Sequence, residues 1–292
     1  MDKSKINAEL AHRLIAVQFP QWKDLRIDPV ALGGWDNRTF HLGTEMLIRM
    51  PSAEAYEPQV EKEHFWLPKL APLLPFEIPQ SIAIGMPGEG YPWKWSIRRW
   101  IEGTPASGVT KIDLVALAKD LAKFLSALHS IDAKNGPLPG FHSFYRGSPL
   151  HHYDAETRKA IETLKDRIDA QSAIELWEKA LASRWERPNI WIHGDLSPGN
   201  LLIRDGCLSA VIDFGQMAVG DPSCDLSIAW TFFHGESRNA LRKALPLDEH
   251  TWVRGKAWTL WKALITAAGT TNPDNFESKC CWKILENLLS KG

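Results

Sequence analysis

His193, Asp195 and Asn200 stand within one run, HGDLSPGN, and a second aspartate, Asp213, follows Asp195 by 18 positions. The apolar pair Trp191-Ile192 leads into the run and Leu201-Leu202-Ile203 leads out of it. A second β-type run, Leu208-Ser-Ala-Val-Ile212, then delivers Asp213 just before Phe-Gly. Apolar strands flanking polar, Gly-containing turns place such side chains together at one edge of a small sheet. Two carboxylates desolvated in one place call for a cation to balance them. One carboxylate beside a hydroxyl can accept its proton; an amide oxygen and a second carboxylate can hold magnesium, a hard ion that prefers oxygen. That division of labour suits phosphoryl transfer, where positioning and charge neutralisation supply nearly all the catalysis. Singly, each aspartate reads equally well as a turn cap; the combination carries the chemistry.

Length and composition bound what can carry such a turn. The chain has 292 residues, 44% of them hydrophobic, enough for a sizeable core in two lobes. A formal net charge of −1 leaves no basic footprint for nucleic acid and no reason for membrane-surface binding. The N-terminal MDKSKINAEL has no apolar signal core, and no stretch approaches the roughly 18 uncharged apolar residues of a spanning helix. A cytoplasmic protein without an obligate protein partner is expected. Cys207, Cys224, Cys280 and Cys281 show no CxxC spacing, so all four are expected as small buried residues rather than metal or disulfide ligands. Most of the 14 tryptophans are expected to anchor the core.

Hydrophobic periodicity divides the chain into two textures. Ile6, Leu10, Leu14 and Val17 predict an opening helix. Strands are predicted at 39–42 and 46–50, with Pro51 ending the second. A helix is predicted over 57–74, shortened or kinked at Pro68. Runs at 78–84 and 93–101 flank the turn-rich Met86-Pro-Gly-Glu-Gly-Tyr-Pro92 and predict a hairpin with a long loop. Beyond Gly103 the texture is helical. Leu114, Leu117, Leu121, Phe124, Leu125 and Leu128 mark a long amphipathic helix, Ile161, Leu164 and Ile168 another, and Trp258, Trp261, Leu264 and Ile265 a third; Trp282 to Leu289 closes the chain. Glu102 to Ser107 reads as the linker. The expectation is an α+β protein with a β-rich lobe over 1–102 and a larger helical lobe over 103–292. A ligand belongs in the cleft between them.

The run HGDLSPGN followed by Asp213-Phe214-Gly215 resembles the catalytic and metal-binding segments of the protein-kinase-like superfamily. Gly194 after the His, Pro-Gly before the Asn and Ser197 where protein kinases commonly have Lys resemble the aminoglycoside phosphotransferase family more than protein kinases. Gly220-Asp221-Pro222-Ser-Cys-Asp225-Leu226 resembles that family's usual continuation. The likeness spans roughly residues 30 to 265 and is sharp from 191 to 226. It implies a bilobal kinase-like fold and transfer of phosphate from ATP or GTP to a hydroxyl of a small-molecule acceptor. Asp195 would be the base, Asn200 and Asp213 would hold Mg2+, His193 would brace the loop, and Asp225 would fix it through backbone amides or His193. Antibiotics such as aminoglycosides and macrolides, or metabolite alcohols, are the implied acceptors.

The same resemblance assigns the nucleotide side. Ala31 to Phe40, with Gly33 and Gly34, resembles the hairpin that covers the phosphates, where glycine lets amides approach anionic oxygens. Arg49 stands where the family's phosphate-contacting Lys is usual, and keeps the charge in a longer, planar side chain. Its helical partner would be Glu63, with Glu61 as the competitor. Ile97 to Gly103 resembles the hinge, where the Arg99 carbonyl and the Ile101 amide would read the base. For the acceptor the sequence says little: from Gly103 onward 22 acidic residues face 22 basic ones, no surplus for a polycation. Trp230, Phe232, Phe233, Trp258 and Trp261 read either as packed core or as an apolar acceptor pocket. The competing functions are a nucleotide-binding regulatory module of the same fold and a metal-dependent phosphohydrolase.

Overall fold

Strand alternation sorts the first lobe, in a computed structural model that describes residues 1–31, 34, 36–269 and 276–290. Helix α1 (Ala8–Gln18) is capped by Asn7, whose side chain accepts from the Leu10 amide. It covers a five-stranded antiparallel sheet of order β1-β2-β3-β5-β4, formed by β1 (Ile27–Pro29), β2 (Asn37–Leu42), β3 (Met46–Pro51), β4 (Ser81–Gly85) and β5 (Trp95–Arg99). Phe40, Leu42, Ile48, Met50, Trp95 and Ile97 are buried with Leu10, Leu14 and Ile15 of α1. The period of two turns Thr39, His41, Leu47, Arg49 and Arg98 to the other face, where they line a cleft.

Between β3 and β4 runs α2 (Glu57–Leu70), whose Val60, Glu63, Leu67 and Leu70 recur at helical spacing and are buried. Pro68 sits in its last turn and the chain passes into a 3-10 turn at Ala71–Leu73, so the proline shortens the expected helix without breaking it earlier. Leu67, Leu70 and Ile78 belong to the same buried cluster as the core of the second lobe, and Trp66 meets Trp191 edge-on at 4.8 Å. Glu77 adds backbone bonds across the divide, donating to the Ser209 carbonyl and accepting from the Val211 amide.

The second lobe begins at β6 (Thr104–Pro105), which pairs with the later strand Leu201–Arg204, so the expected linker is partly built into a sheet. Helix α3 (Leu114–Ser130) is capped by Asp113 and buries Leu117, Leu121, Phe124, Leu125 and Leu128. That stripe packs on β7 (Ile190–Ile192), β8 (Leu201–Arg204) and β9 (Cys207–Val211), together with Phe214 and Met217. The β8–β9 turn is Asp205-Gly206, both at positive φ (53° and 78°), as the twist of a two-residue hairpin requires. Strand β7 pairs with β10 (Ala218–Gly220). Around this centre pack α4 (Asp154–Leu164), α5 (Ala170–Leu181), α6 (Ile228–Thr231), α7 (Gly235–Ala244), α8 (Glu249–Gly269) and α9 (Phe276–Leu289).

Several elements depart from the sequence expectations. Strands β1 and β10 are three residues each and too short to show a period, and α7 buries only Ser237 and Leu241, so pattern alone misses it. Helix α4 ends at Leu164, and Ile168 packs on the same core from the following turn. Cys207 is exposed at the hairpin start and Cys280 is half-buried; only Cys224 and Cys281 are buried as expected. Phe233, Trp258 and Trp261 are core, with Trp230 and Phe232 packed against it, so the aromatic set does not form an acceptor pocket. Among the described residues no helix is long and apolar enough to cross a membrane.

His129, in the last turn of α3, has Nε2 buried without a partner among the described residues, and burial pulls its imidazole from 6.5 down to about 4. Below 6.5 the unfolded chain takes up a proton that the folded one refuses. Stability that is complete above 6.5 therefore drains away as pH falls toward 4, by about 3 kcal/mol at most. Urea unfolding at pH 7 and pH 4.5 is expected to show a smaller acid-induced loss for His129→Leu than for the parent; equal losses would contradict this origin.

Candidate active site

The turn after β7 is held by a ring of hydrogen bonds. The Asp195 amide donates to Nδ1 of His193 at 3.2 Å, and Nε2 of His193 reaches the Ile212 carbonyl at 3.0 Å. Those partners place the single proton of a neutral imidazole on Nε2. The Ile212 amide donates to the Asn200 carbonyl at 2.9 Å, and Nδ2 of Asn200 donates to the Asp195 carbonyl at 2.8 Å, which closes the ring. Asp225 anchors it from below, accepting from the amides of His193 (2.8 Å) and Gly194 (2.7 Å). Burial raises the Asp225 carboxyl above its ordinary value, against the pull of the two amides. Gly194 is required here: its φ is +86°, and a Cβ would stand 2.4 Å from the Gln216 carbonyl oxygen. The Asp195 carboxylate itself has no hydrogen-bond partner among the described residues and is partly exposed.

Asp213 ends the run after β9 with a left-handed backbone, φ +66°, a conformation Asp tolerates better than most residues. Its carboxylate is paired with Arg49. Burial alone would raise this carboxyl, but the Arg49 charge and hydrogen bond hold it below the ordinary value. Arg49 also stands 3.6 Å from Glu63, which is 2% exposed. Glu63, however, is gripped by Arg98: Nη1 donates to Oε1 at 2.9 Å and Nη2 to Oε2 at 2.6 Å, while Nε donates to Ser96. The expected Arg49–Glu63 pair is therefore the longer arm of a four-residue network, in which Arg98 takes the helical carboxylate and Arg49 is turned to Asp213. Glu61 lies outside it and pairs with Lys94. The Asn37 carboxamide, with its oxygen toward the guanidinium, accepts from Nε and Nη2 of Arg49 at 3.0 Å. Asp36 completes the cluster; burial, then Asp213 and Asp195, raise its carboxyl.

These groups open onto a cleft of about 600 Å³ between the lobes, whose lining includes Gly34, Arg49, Arg98, Arg99, Ile101, Asn200 and Asp213. Val30 and Leu47 on the sheet side and Leu202 and Ile212 on the other supply apolar walls. The Ile101 amide has no hydrogen-bond partner among the described residues although the residue is 8% exposed, so it is free to bind a polar edge. Trp100 packs on His41 at 4.4 Å at the rim. Gly33 lies outside the described residues. Asp195 is not on this wall; it stands to one side, close enough to Asp36 for its charge to be felt. Among the described residues no three His, Cys, Asp or Glu side chains form a metal cage. Magnesium does not need one, since one or two protein oxygens plus substrate phosphates are its usual set. Asn200, whose nitrogen is spent on Asp195 and whose Oδ1 is free, and Asp213 fit that donor set.

Sequence reasoning missed Arg98, Asn37 and Asp36. A charge inside the largely apolar run of β5 was the available signal for Arg98, whereas Asp36 and Asn37 stand at the polar start of β2 and offer none.

Fold and site together define a bilobal, protein-kinase-like phosphotransferase. A model of the phosphotransferase enzyme family (APH) matches residues 28–259, and the chain belongs to that family. Its fold is similar to the GDP complex of wild-type aminoglycoside 2′-phosphotransferase-IIIa, at 18% identity and TM-score 0.71, covering 97% of this chain and 98% of that one. It is also similar to the streptomycin–ATP–APH(2″)-IIa ternary complex (20% identity, TM-score 0.61, covering 97% of this chain and 96% of that one). A third similar structure is the apoenzyme of macrolide 2′-phosphotransferase MphH from Brachybacterium faecium (20%, 0.61, covering 94% and 97%). No curated protein matches the sequence.

Arg98→Met leaves the buried Glu63 with only the longer contact to Arg49. It is expected to cost about 3–5 kcal/mol in denaturant unfolding, while Arg98→Met/Glu63→Leu recovers most of the loss. A single variant as stable as the parent would show that Arg98 does not hold the charge.

Proposed function

We propose that this enzyme is a small-molecule kinase that transfers the γ-phosphate of ATP or GTP to an acceptor hydroxyl. The observation that carries the reading is the closed ring through His193, Asp195, Asn200 and Ile212. It ties the Asp195 backbone to Asn200 and to the residue before Asp213, and leaves the Asp195 carboxylate without a hydrogen-bond partner among the described residues, to one side of the cleft that Asn200 and Asp213 line. In this reading the purine lies between Val30 and Leu47 on one side and Leu202 and Ile212 on the other, with the Arg99 carbonyl and Ile101 amide at its edge. Gly34, between β1 and β2, lies over the phosphates. Asp195 orients the acceptor hydroxyl for in-line attack and takes its proton. Asn200 and Asp213 hold Mg2+, which when bound neutralises phosphate charge. Arg49 supplies fixed positive charge beside them, and Arg98 keeps Glu63 from drawing it away. The GDP and ATP complexes among similar folds support a purine nucleotide as donor.

For the acceptor, similar folds include aminoglycoside and macrolide phosphotransferases. In the helical lobe several carboxylates already have partners: Asp154 and Glu178 with Arg158, Glu156 with the Trp261 indole, Asp221 with Arg254. That, with the even charge count, favours an alcohol of low positive charge, macrolide-like or a metabolite, over a polycation. Retention of Asp195, Asn200 and Asp213 argues against a purely regulatory module. The absence of a three-ligand cage among the described residues argues against a phosphohydrolase.

Asp195→Ala is expected to lower turnover by about 10²–10⁴-fold while nucleotide affinity stays close to the parent's; unimpaired turnover removes Asp195 from its role. Asp213→Ala is expected to weaken nucleotide binding in magnesium, and equal calorimetric affinities would contradict that. The reading as a whole is tested by incubating the enzyme with nucleotide and panels of macrolides, aminoglycosides, amino alcohols and sugars. Mass gain of one phosphoryl group on an acceptor is the expected result.

A further inference from the structure

Lys62 precedes Glu63 on α2, and nothing in the phosphoryl-transfer reading uses it. Its ammonium donates to the carbonyls of Gly215 at 2.8 Å, Met217 at 3.0 Å and His142 at 3.1 Å, and meets Nδ1 of His142 at 2.8 Å. Nε2 of His142 lies 2.9 Å from the Leu138 carbonyl, so the imidazole carries its proton there and offers Nδ1 as an acceptor. Burial, and then the Lys62 charge, lower the His142 imidazole and so favour this neutral form. Burial draws Lys62 down to about 7, against the pull of Glu63. Among the described residues no carboxylate is a hydrogen-bond partner of Lys62; the ammonium is held by oxygens and an imidazole from two other segments, 215–217 just beyond Asp213 and the loop between α3 and α4.

What the 215–217 segment touches gives the contact a consequence. Between the two carbonyls held by Lys62 lies Gln216. Its carbonyl packs against Gly194 of the catalytic loop, and its side chain accepts from Nε of Arg146 at 2.5 Å. One end of the segment is thus set against the loop that carries Asp195, and two residues upstream stands Asp213. Neither Lys62 nor its three partner residues line the interlobe cleft.

We propose that Lys62 is a positioning residue for the metal step: it staples α2 of the first lobe to the backbone just past Asp213 and so sets where that carboxylate stands relative to Asn200. The inference rests on Asp213 being a magnesium ligand. Because the staple lies outside the cleft walls, it acts on the magnesium-dependent part of nucleotide affinity and leaves the base and sugar contacts alone.

The test is calorimetric titration of the full chain with the β,γ-imido analogues of ATP and GTP, in magnesium and in EDTA. For Lys62→Met the gain in affinity conferred by magnesium is expected to fall about 10–100-fold, as for other residues that orient metal ligands. Affinity in EDTA is expected to stay within about twofold of the parent's, since no contact to base or sugar is removed. An unchanged magnesium gain overturns the proposal, and so does an equal loss in both conditions, which is the mark of general destabilisation. Should Lys62→Met not fold, His142→Leu removes one acceptor and is expected to show the same split, whereas His142→Asn keeps an acceptor near Nδ1 and restores the gain. Failure of His142→Leu to differ from His142→Asn also overturns it. A parent protein with no magnesium gain overturns the assignment of Asp213 and Asn200, and this inference with it, which separates the two failures.

Discussion

The His193 imidazole has one proton to give and one lone pair to fill, and the structure commits both. The proton goes to the Ile212 carbonyl and the lone pair to the Asp195 amide. That choice links the end of β7 to the residue before Asp213, and Asn200 closes the link from the other side. The three polar groups of the site therefore cannot move independently. Asp225 makes the arrangement costly to disturb, because a buried carboxylate accepting two backbone amides would leave three groups unsatisfied if the turn shifted. The ring also dictates residue types away from the chemistry. Gly194 must be glycine to let Gln216 approach, and Asp213 must tolerate a left-handed backbone.

The second constraint is charge. Arg49, Arg98, Glu63 and Asp213 crowd into one end of the cleft, and withdrawing them from water is tolerable only because each faces an opposite partner. The bidentate grip of Arg98 on Glu63 decides how the rest divides. With the helical carboxylate satisfied by a rigid planar fork, Arg49 is left to Asp213. An arginine at position 49 suits this arrangement, since its several donors serve Asp213, Asn37 and, at longer range, Glu63 together.

Coupling between the lobes follows from packing as much as from charge. The apolar face of α2 is continuous with the core that α3, β7 and β9 build, and Trp66 packs on Trp191 at the start of the turn that carries Asp195. Glu63 stands one turn earlier on the same buried stripe and meets Arg98 of the sheet, and Lys62 beside it reaches the segment after Asp213. The first turns of the helix thus supply polar contacts to both halves of the site, and its later turns pack on the core of the second lobe. The backbone bonds of Glu77 to β9 add a second tie that does not pass through the hinge.

Much of this is legible in the chain by itself, because it depends on local periodicity and on short motifs. The alternation in Met46 to Met50 determines which side chains face α1 and which face the cleft, whereas Arg49 is singled out by the resemblance of its strand to the family's Lys-bearing one. HGDLSPGN and Asp213-Phe-Gly carry the site because a tight turn needs those residue types within a few positions of one another. What local pattern cannot decide is partnership among distant groups. Glu63 meets Arg98 across 35 residues, Lys62 meets Gly215 across 153, and Arg49 meets Asp213 across 164. Glu61 and Glu63 look alike in sequence, and only the helix's angle to the sheet sends one to Arg98 and the other to Lys94 at the surface. Three-residue strands have no period to read, and tertiary packing supplies their free energy. Residue order sets the chemistry available and the faces that bear it; the fold decides which charges neutralise which, because that choice is made by distance and burial rather than by position along the chain.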